Sequence, residues 1–153
     1  MKTKDYLNQY KDLVGRIERD QERIEQIEAS IQKSIDLDGL PHGTGTSDPT
    51  KDTALRLVEI RARLKANVIE AEYLKQTIAD EIERVRNPQY KELLYSRYIK
   101  RLTWEDVTDR VSRGRKERYD SKHIRGYMHG QALREFEKCR KDTYTVYMKN
   151  IGE

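Results

Sequence analysis

From Tyr6 to Ile31, apolar side chains return at alternating steps of four and three, through Tyr10, Leu13, Ile17, Ile24 and Ile27, with Asp20 the one polar member of the series. That is a heptad seam, and it predicts a long helix buried along one narrow stripe. The runs ERDQER and EQIEAS place acids and bases on the flanking positions, which keeps the outer face wet. A second seam runs through Leu57, Ile60, Leu64, Ala71, Leu74, Ile78 and Val85, with polar interruptions at Asn67 and at Glu81, where Ile82 shares the duty. At 1.5 Å per residue each helix spans about 45–55 Å. Folding one onto the other is the shortest way to cover both stripes, so residues 1–86 read as an antiparallel coiled-coil hairpin.

The expected connection lies near residues 37–49. The segment DLDGLPHGTGTSDPT holds three glycines and two prolines, and no helix passes through such a run. Asp48 followed by Pro49 makes a helix start, the carboxylate accepting orphan amides and the proline already at a helical φ. Gly43, Thr44, Gly45 and Thr46 look like a phosphate-cradling loop, but the lysine and the preceding strand of a P-loop are absent. A two-helix hairpin buries little surface for its length, which leads to the expectation of a homodimer or higher oligomer through the hairpin. Asp20 and Asn67 have two readings that the pattern leaves open: polar seam residues that specify register or partner, or points where the seam reaches solvent.

The second half, residues 87–153, changes rhythm. Asn87 and Pro88 open a short helix, NPQYKELLYSRYIKR, with Tyr90, Leu93, Leu94, Tyr98 and Ile99 on one face. Thr103 caps a second, TWEDVTDRV, with Asp106 at the acidic position of a capping box and Trp104, Val107 and Val111 inward. After the polar stretch SRGRKERYD, Ser121 reads as the cap of a third, with Ile124, Met128, Ala132, Leu133 and Phe136 at helical spacing. The fold class is therefore all-α: a long antiparallel helical hairpin followed by a small helix-turn-helix domain.

Composition narrows the chemistry. Only 35% of the 153 residues are hydrophobic and 38% are charged, as suits long two-faced helices better than a thick core. One cysteine, Cys139, and three scattered histidines supply neither a disulfide framework nor a zinc quartet. Neither paired carboxylates nor an activated nucleophile stands out, so no enzyme, cofactor or metal site is expected. No apolar run resembles a signal peptide or a membrane span, and a cytoplasmic protein is expected.

Charge is asymmetric. Residues 1–86 hold 15 Lys/Arg against 17 Asp/Glu, while residues 87–153 hold 16 against 10. A concentrated positive half attracts phosphate, which places any polyanion site in the second half and makes double-stranded DNA the expected partner. On the last helix, Lys122, His123, Arg125 and His129, with Ser121 at its start, form the face that would meet base edges and phosphates. Gly126, costly inside a helix, either admits a close backbone approach or is merely tolerated. The tyrosines at 90, 95, 98, 119 and 127 read as amphipathic core edges more readily than as base-stacking platforms.

The stretch YSRYIKRLTWEDVTDRV, then a serine, then HIRGYMHGQALREF resembles the sigma-region-4-like helix-turn-helix of phage and prophage regulators of the ArpU and RinA type. The loop LPHGTGTSDPT is similar to that of related uncharacterised phage proteins, so the resemblance spans most of the chain. It implies transcriptional control of late or packaging genes in a bacterial host, with the helix beginning near Ser121 in the major groove and RNA polymerase as a further partner. In one respect the chain departs from the pattern, because RGRKERYD lengthens the turn between the two helices. Arg113, Arg115, Lys116 and Arg118 would then reach a neighbouring phosphate, or the longer turn would displace the helix and leave only nonspecific binding. Two other classes stay open: a small-terminase-like DNA-packaging component, and a coiled-coil adaptor that binds protein through the hairpin.

Overall fold

The computed structural model describes residues 1–37 and 49–152. All regular elements among the described residues are helical: α1 (Thr3–Leu37), α2 (Pro49–Glu83), α3 (Pro88–Leu94), α4 (Trp104–Val111), α5 (Ser121–His123) and α6 (His129–Ile151). α1 and α2 form the expected hairpin, and α2 begins at Pro49. The glycine-rich connection, its Asp48 cap and the Gly43–Thr46 segment lie outside the described residues.

Two stretches are wider than α-helix. α3 runs on into a π-helical segment, Tyr95–Ile99, and α5 passes into α6 through another, Ile124–Met128. In a π turn the bonds run from i to i+5, so residues five apart share a face. Leu94, just before the first segment, and Ile99 at its end are both buried, as are Ile124 at the start of the second and His129 just after it.

The chain separates into two compact units, Met1–Lys11 with Tyr73–Glu153, and Asp12–Glu72. This is not the division at residue 86 that the change of sequence rhythm predicts. Leu7 from the start of α1, and Ile78, Ile82 and Val85 from the end of α2 and just beyond it, share one core with Leu93, Leu94, Val107, Ile124, Ala132 and Phe136. Both hairpin ends are thus part of the same hydrophobic cluster as the short helices. A polar clamp closes its edge: Tyr6 donates to Glu81 Oε2 at 2.6 Å, and the Arg140 guanidinium lies 3.7 Å from the Tyr6 ring centre and 3.4 Å from Glu81 Oε1. Burial and the Glu81 carboxylate push the Tyr6 hydroxyl up to about 12.

In the Asp12–Glu72 unit, Leu13, Leu57, Ile60 and Ala71 are buried, and Ile17, Ile24, Ile27, Ile31 and Leu64 are half-buried. Asp20 is a working seam member. It is 8% exposed, and Arg63 grips it with two bonds, Nη2 to Oδ1 at 2.7 Å and Nε to Oδ2 at 3.1 Å. A forked pair across the seam is geometrically specific, which favours the register reading for Asp20; Asn67 is half-buried. The Arg63 hydrogen bonds hold the Asp20 carboxyl below its usual range. Asp20→Ala and Arg63→Ala should each lower the melting temperature, and the double variant should lose less than their sum, because removing one partner strands the other. Additive losses in a double-mutant cycle followed by circular dichroism would show that the pair does not couple the two helices.

Candidate nucleic-acid interface

Each short helix starts where its cap allows. The Asn87 side chain accepts from the backbone N–H groups of Gln89 at 2.9 Å and Tyr90 at 3.3 Å, with Pro88 at the first helical position. Thr103 Oγ1 accepts from the Asp106 amide at 3.3 Å. The capping box is modified: the Thr103 hydroxyl donates to Asp106 Oδ2 at 3.0 Å, carboxylate meeting hydroxyl rather than the cap's own backbone N–H.

Ser121 is not the cap of α5. Asp120 is, its carboxylate accepting from the Lys122 amide at 3.2 Å, and Ser121 takes the first helical position. Both residues are good cap formers, and sequence alone ranks neither. The Ser121 hydroxyl donates to Glu105 Oε1 at 2.6 Å, which makes it an internal tie between α4 and α5. That bond, followed by the Arg118 contact, keeps the Glu105 carboxyl below its usual range.

The long turn between α4 and α5 is built. Buried Ser112 accepts from the Tyr119 amide at 3.0 Å, and Gly114 sits at φ +80°, a conformation that favours glycine. Arg118 bonds Asp109 Oδ1 at 2.6 Å and Glu105 Oε2 at 2.8 Å, so its charge is matched within the protein. Arg115 lies 3.8 Å over the Tyr119 ring and bonds its hydroxyl, and Gln89 reaches that same hydroxyl at 3.0 Å. Of the four cations expected to face phosphate here, Arg113 and Lys116 are the two exposed ones with no side-chain partner among the described residues.

On the following helix Lys122, His123, Arg125 and Gly126 are exposed. A Cβ added at Gly126 would meet nothing within 4 Å among the described residues, so their packing does not require glycine there. His123 stacks between Tyr119 at 5.8 Å and Tyr127 at 5.5 Å between ring centres. With Arg115 this makes a column at steps of four, a spacing present in the sequence but easily passed over among many tyrosines. Tyr98 is buried and Tyr90, Tyr95 and Tyr119 are half-buried, in keeping with core edges, whereas Tyr127 is 63% exposed.

His129 is in the core, not on the exposed face with Arg125. It is 7% exposed, its Nε2 lies 2.7 Å from the Tyr98 hydroxyl, and the Trp104 ring meets it edge-on at 4.9 Å. On α6 it precedes the buried Ala132 by three residues and Phe136 by seven, and so shares their inward side. The π turn, in which its N–H reaches Ile124 O, aligns it with buried Ile124 and leaves Arg125 outside. Burial, helped by the charges of Lys4 and Arg97, pushes its imidazole down to about 4. Burial likewise raises Tyr98 to about 12.

The result is a helical unit that displays a short basic helix face carrying Lys122, Arg125 and Gly126, with Arg113 and Lys116 exposed in the turn that precedes it. Comparisons with known protein families, with curated proteins and with solved structures return no match. No helix among the described residues is long and apolar enough to cross a membrane.

Proposed function

We propose that the chain is a DNA-binding transcriptional regulator of the phage or prophage kind, reading double-stranded DNA with the helix that begins at Ser121. The supporting observation is that Lys122 and Arg125 are exposed and have no side-chain partner among the described residues, beside a glycine that packing among those residues does not need. Arginine at such a place can pair bidentately with guanine, and lysine neutralises phosphate. Fluorescence anisotropy of the whole chain, with labelled duplexes from DNA beside its own gene and with a scrambled duplex, across a salt series, tests the reading.

Arg125→Ala should cost about 1–3 kcal/mol on the preferred duplex and relax discrimination, whereas Lys116→Ala should weaken all duplexes alike and reduce the salt slope by about one. Identical behaviour of the two variants would refute the assigned roles. Gly126→Ala should leave the fold at least as stable, since alanine is the better helix former by about 1 kcal/mol, yet weaken DNA binding through its added methyl.

Self-association through the hairpin is part of the proposal. Leu55, Val58 and Ile69 are exposed on α2, on the side away from the buried Leu57, Ile60 and Ala71, and a helix with two apolar sides buries the second against another helix. Solution mass separates the readings: a dimer that prefers one duplex fits the regulator, a ring fits a packaging component, and absence of DNA binding fits an adaptor.

A further inference from the structure

α6 carries Arg134 and Lys138 one turn apart, and Arg84 and Arg86, just past the end of α2, join them around an open groove of about 650 Å³ that Tyr90 and Gln131 also line. All four cations are exposed. Two carboxylates, Glu135 and Asp142, are present as well. Glu135 is already committed, its Oε1 accepting from the backbone N–H groups of Arg86 at 2.9 Å and Asn87 at 3.1 Å.

Several other cations of the same unit meet acids. Arg140 meets Glu81, Lys141 meets Glu137, Lys91 meets Glu83 and Arg118 meets Glu105 and Asp109. The side chains of Arg84, Arg86, Arg134 and Lys138 have no ion pair or hydrogen bond among the described residues. Like charges one helical turn apart oppose folding, so gathering four around one concavity favours an external anion. Guanidinium groups match the geometry of phosphate oxygens in particular.

We infer that this groove is an oxyanion site that takes backbone phosphates of the same duplex that meets Lys122 and Arg125. The oxyanion chemistry stands on the groove; the nucleic-acid occupant rests on the function proposed above. Arg134 follows Arg125 by nine residues, about 14 Å along a helix axis. A helix whose first turns lie in the major groove passes the sugar-phosphate backbone as it leaves, and Arg134 and Lys138 then meet flanking phosphates, with Arg84 and Arg86 across from them.

Two measurements on the whole chain test this. In the first, inorganic phosphate is titrated into ¹⁵N-labelled protein while the arginine Nε–H signals are followed, with chloride at equal ionic strength as control. Saturable changes in signal position at Arg84, Arg86 and Arg134 are expected with phosphate and not with chloride, and they should vanish in the surface variant Arg134→Gln/Lys138→Gln. In the second, that variant should lower the salt slope of duplex binding by about two, one for each phosphate contact removed, while keeping the preference for the favoured duplex over the scrambled one. An unchanged slope in a variant that still discriminates would overturn the groove and leave the recognition helix standing. A phosphate response from a protein that binds no duplex would uphold the oxyanion site and overturn its nucleic-acid occupant. Absence of any phosphate response would overturn the site itself.

Discussion

Phe136→Ala should destabilise the unit that carries the candidate interface by about 3–5 kcal/mol, the range for deleting a fully buried aromatic ring from a packed core. Phe136 is 0% exposed, with the Tyr6 ring centre 6.3 Å away and Arg140 across its face. It stands where α6 meets both ends of the hairpin and the short helices, so the cavity left by truncation is bordered by several elements at once and collapses poorly. Since a domain holds only about 5–15 kcal/mol in total, the variant should show a sharply lower urea midpoint. Phe136→Leu, which retains most of the apolar contact, should lose far less. If alanine and leucine cost the same, within about 1 kcal/mol of wild type, the core as described is wrong.

The second large effect is acid sensitivity at His129. Its folded-state pKa, about 4, lies below the ordinary 6.5 of an exposed histidine because burial disfavours the imidazolium. The unfolded chain therefore takes up the proton first on acidification. Stability from the neutral imidazole is complete above about pH 6.5 and is lost as the pH falls toward 4. The loss is about 2–3 kcal/mol, because each tenfold difference in proton affinity between the folded and unfolded chain is worth about 1.36 kcal/mol. Glu105 adds in the same direction at lower pH, because a depressed carboxyl stabilises the fold above its unfolded range and ceases to do so as it protonates. Urea unfolding at pH 7 and at pH 4.5 measures the total, and His129→Gln, which keeps a polar atom near Tyr98 without titrating, isolates the histidine. If the variant kept the full pH dependence between those values, the low imidazole pKa would be refuted.

His129 also marks a limit of pattern reading. The heptads of α1 and α2, the Asn87 and Thr103 caps and the inward positions of the three short helices were all legible, because each rests on local chemistry or on a 3.6-residue period. Ser121 failed narrowly, beside an aspartate equally fit to cap. Nothing in the residue types marked the two π segments, since a π turn is stabilised by what packs around it and not by its own composition. Reading IRGYMHG at α-helical spacing therefore placed a core histidine on the surface. The basic candidates divided for a related reason: sequence supplies the charge of Arg113, Arg115, Lys116 and Arg118, but only the fold brings Glu105 and Asp109 up to Arg118 and lays Arg115 on Tyr119.

The groove of Arg84, Arg86, Arg134 and Lys138 shows the same division at longer range. Its two halves lie some fifty residues apart in the chain, and nothing in the local sequence singles out either arginine near α2. By itself the sequence determined the helices, the two apolar stripes that fold against each other and the half of the chain with surplus positive charge, because these follow from periodicity and composition. The tertiary structure decided where the compact units divide, which histidine is buried and which cations have no acid partner among the described residues. Burial and charge pairing depend on residues distant in sequence arriving at the same place, and no local pattern records that.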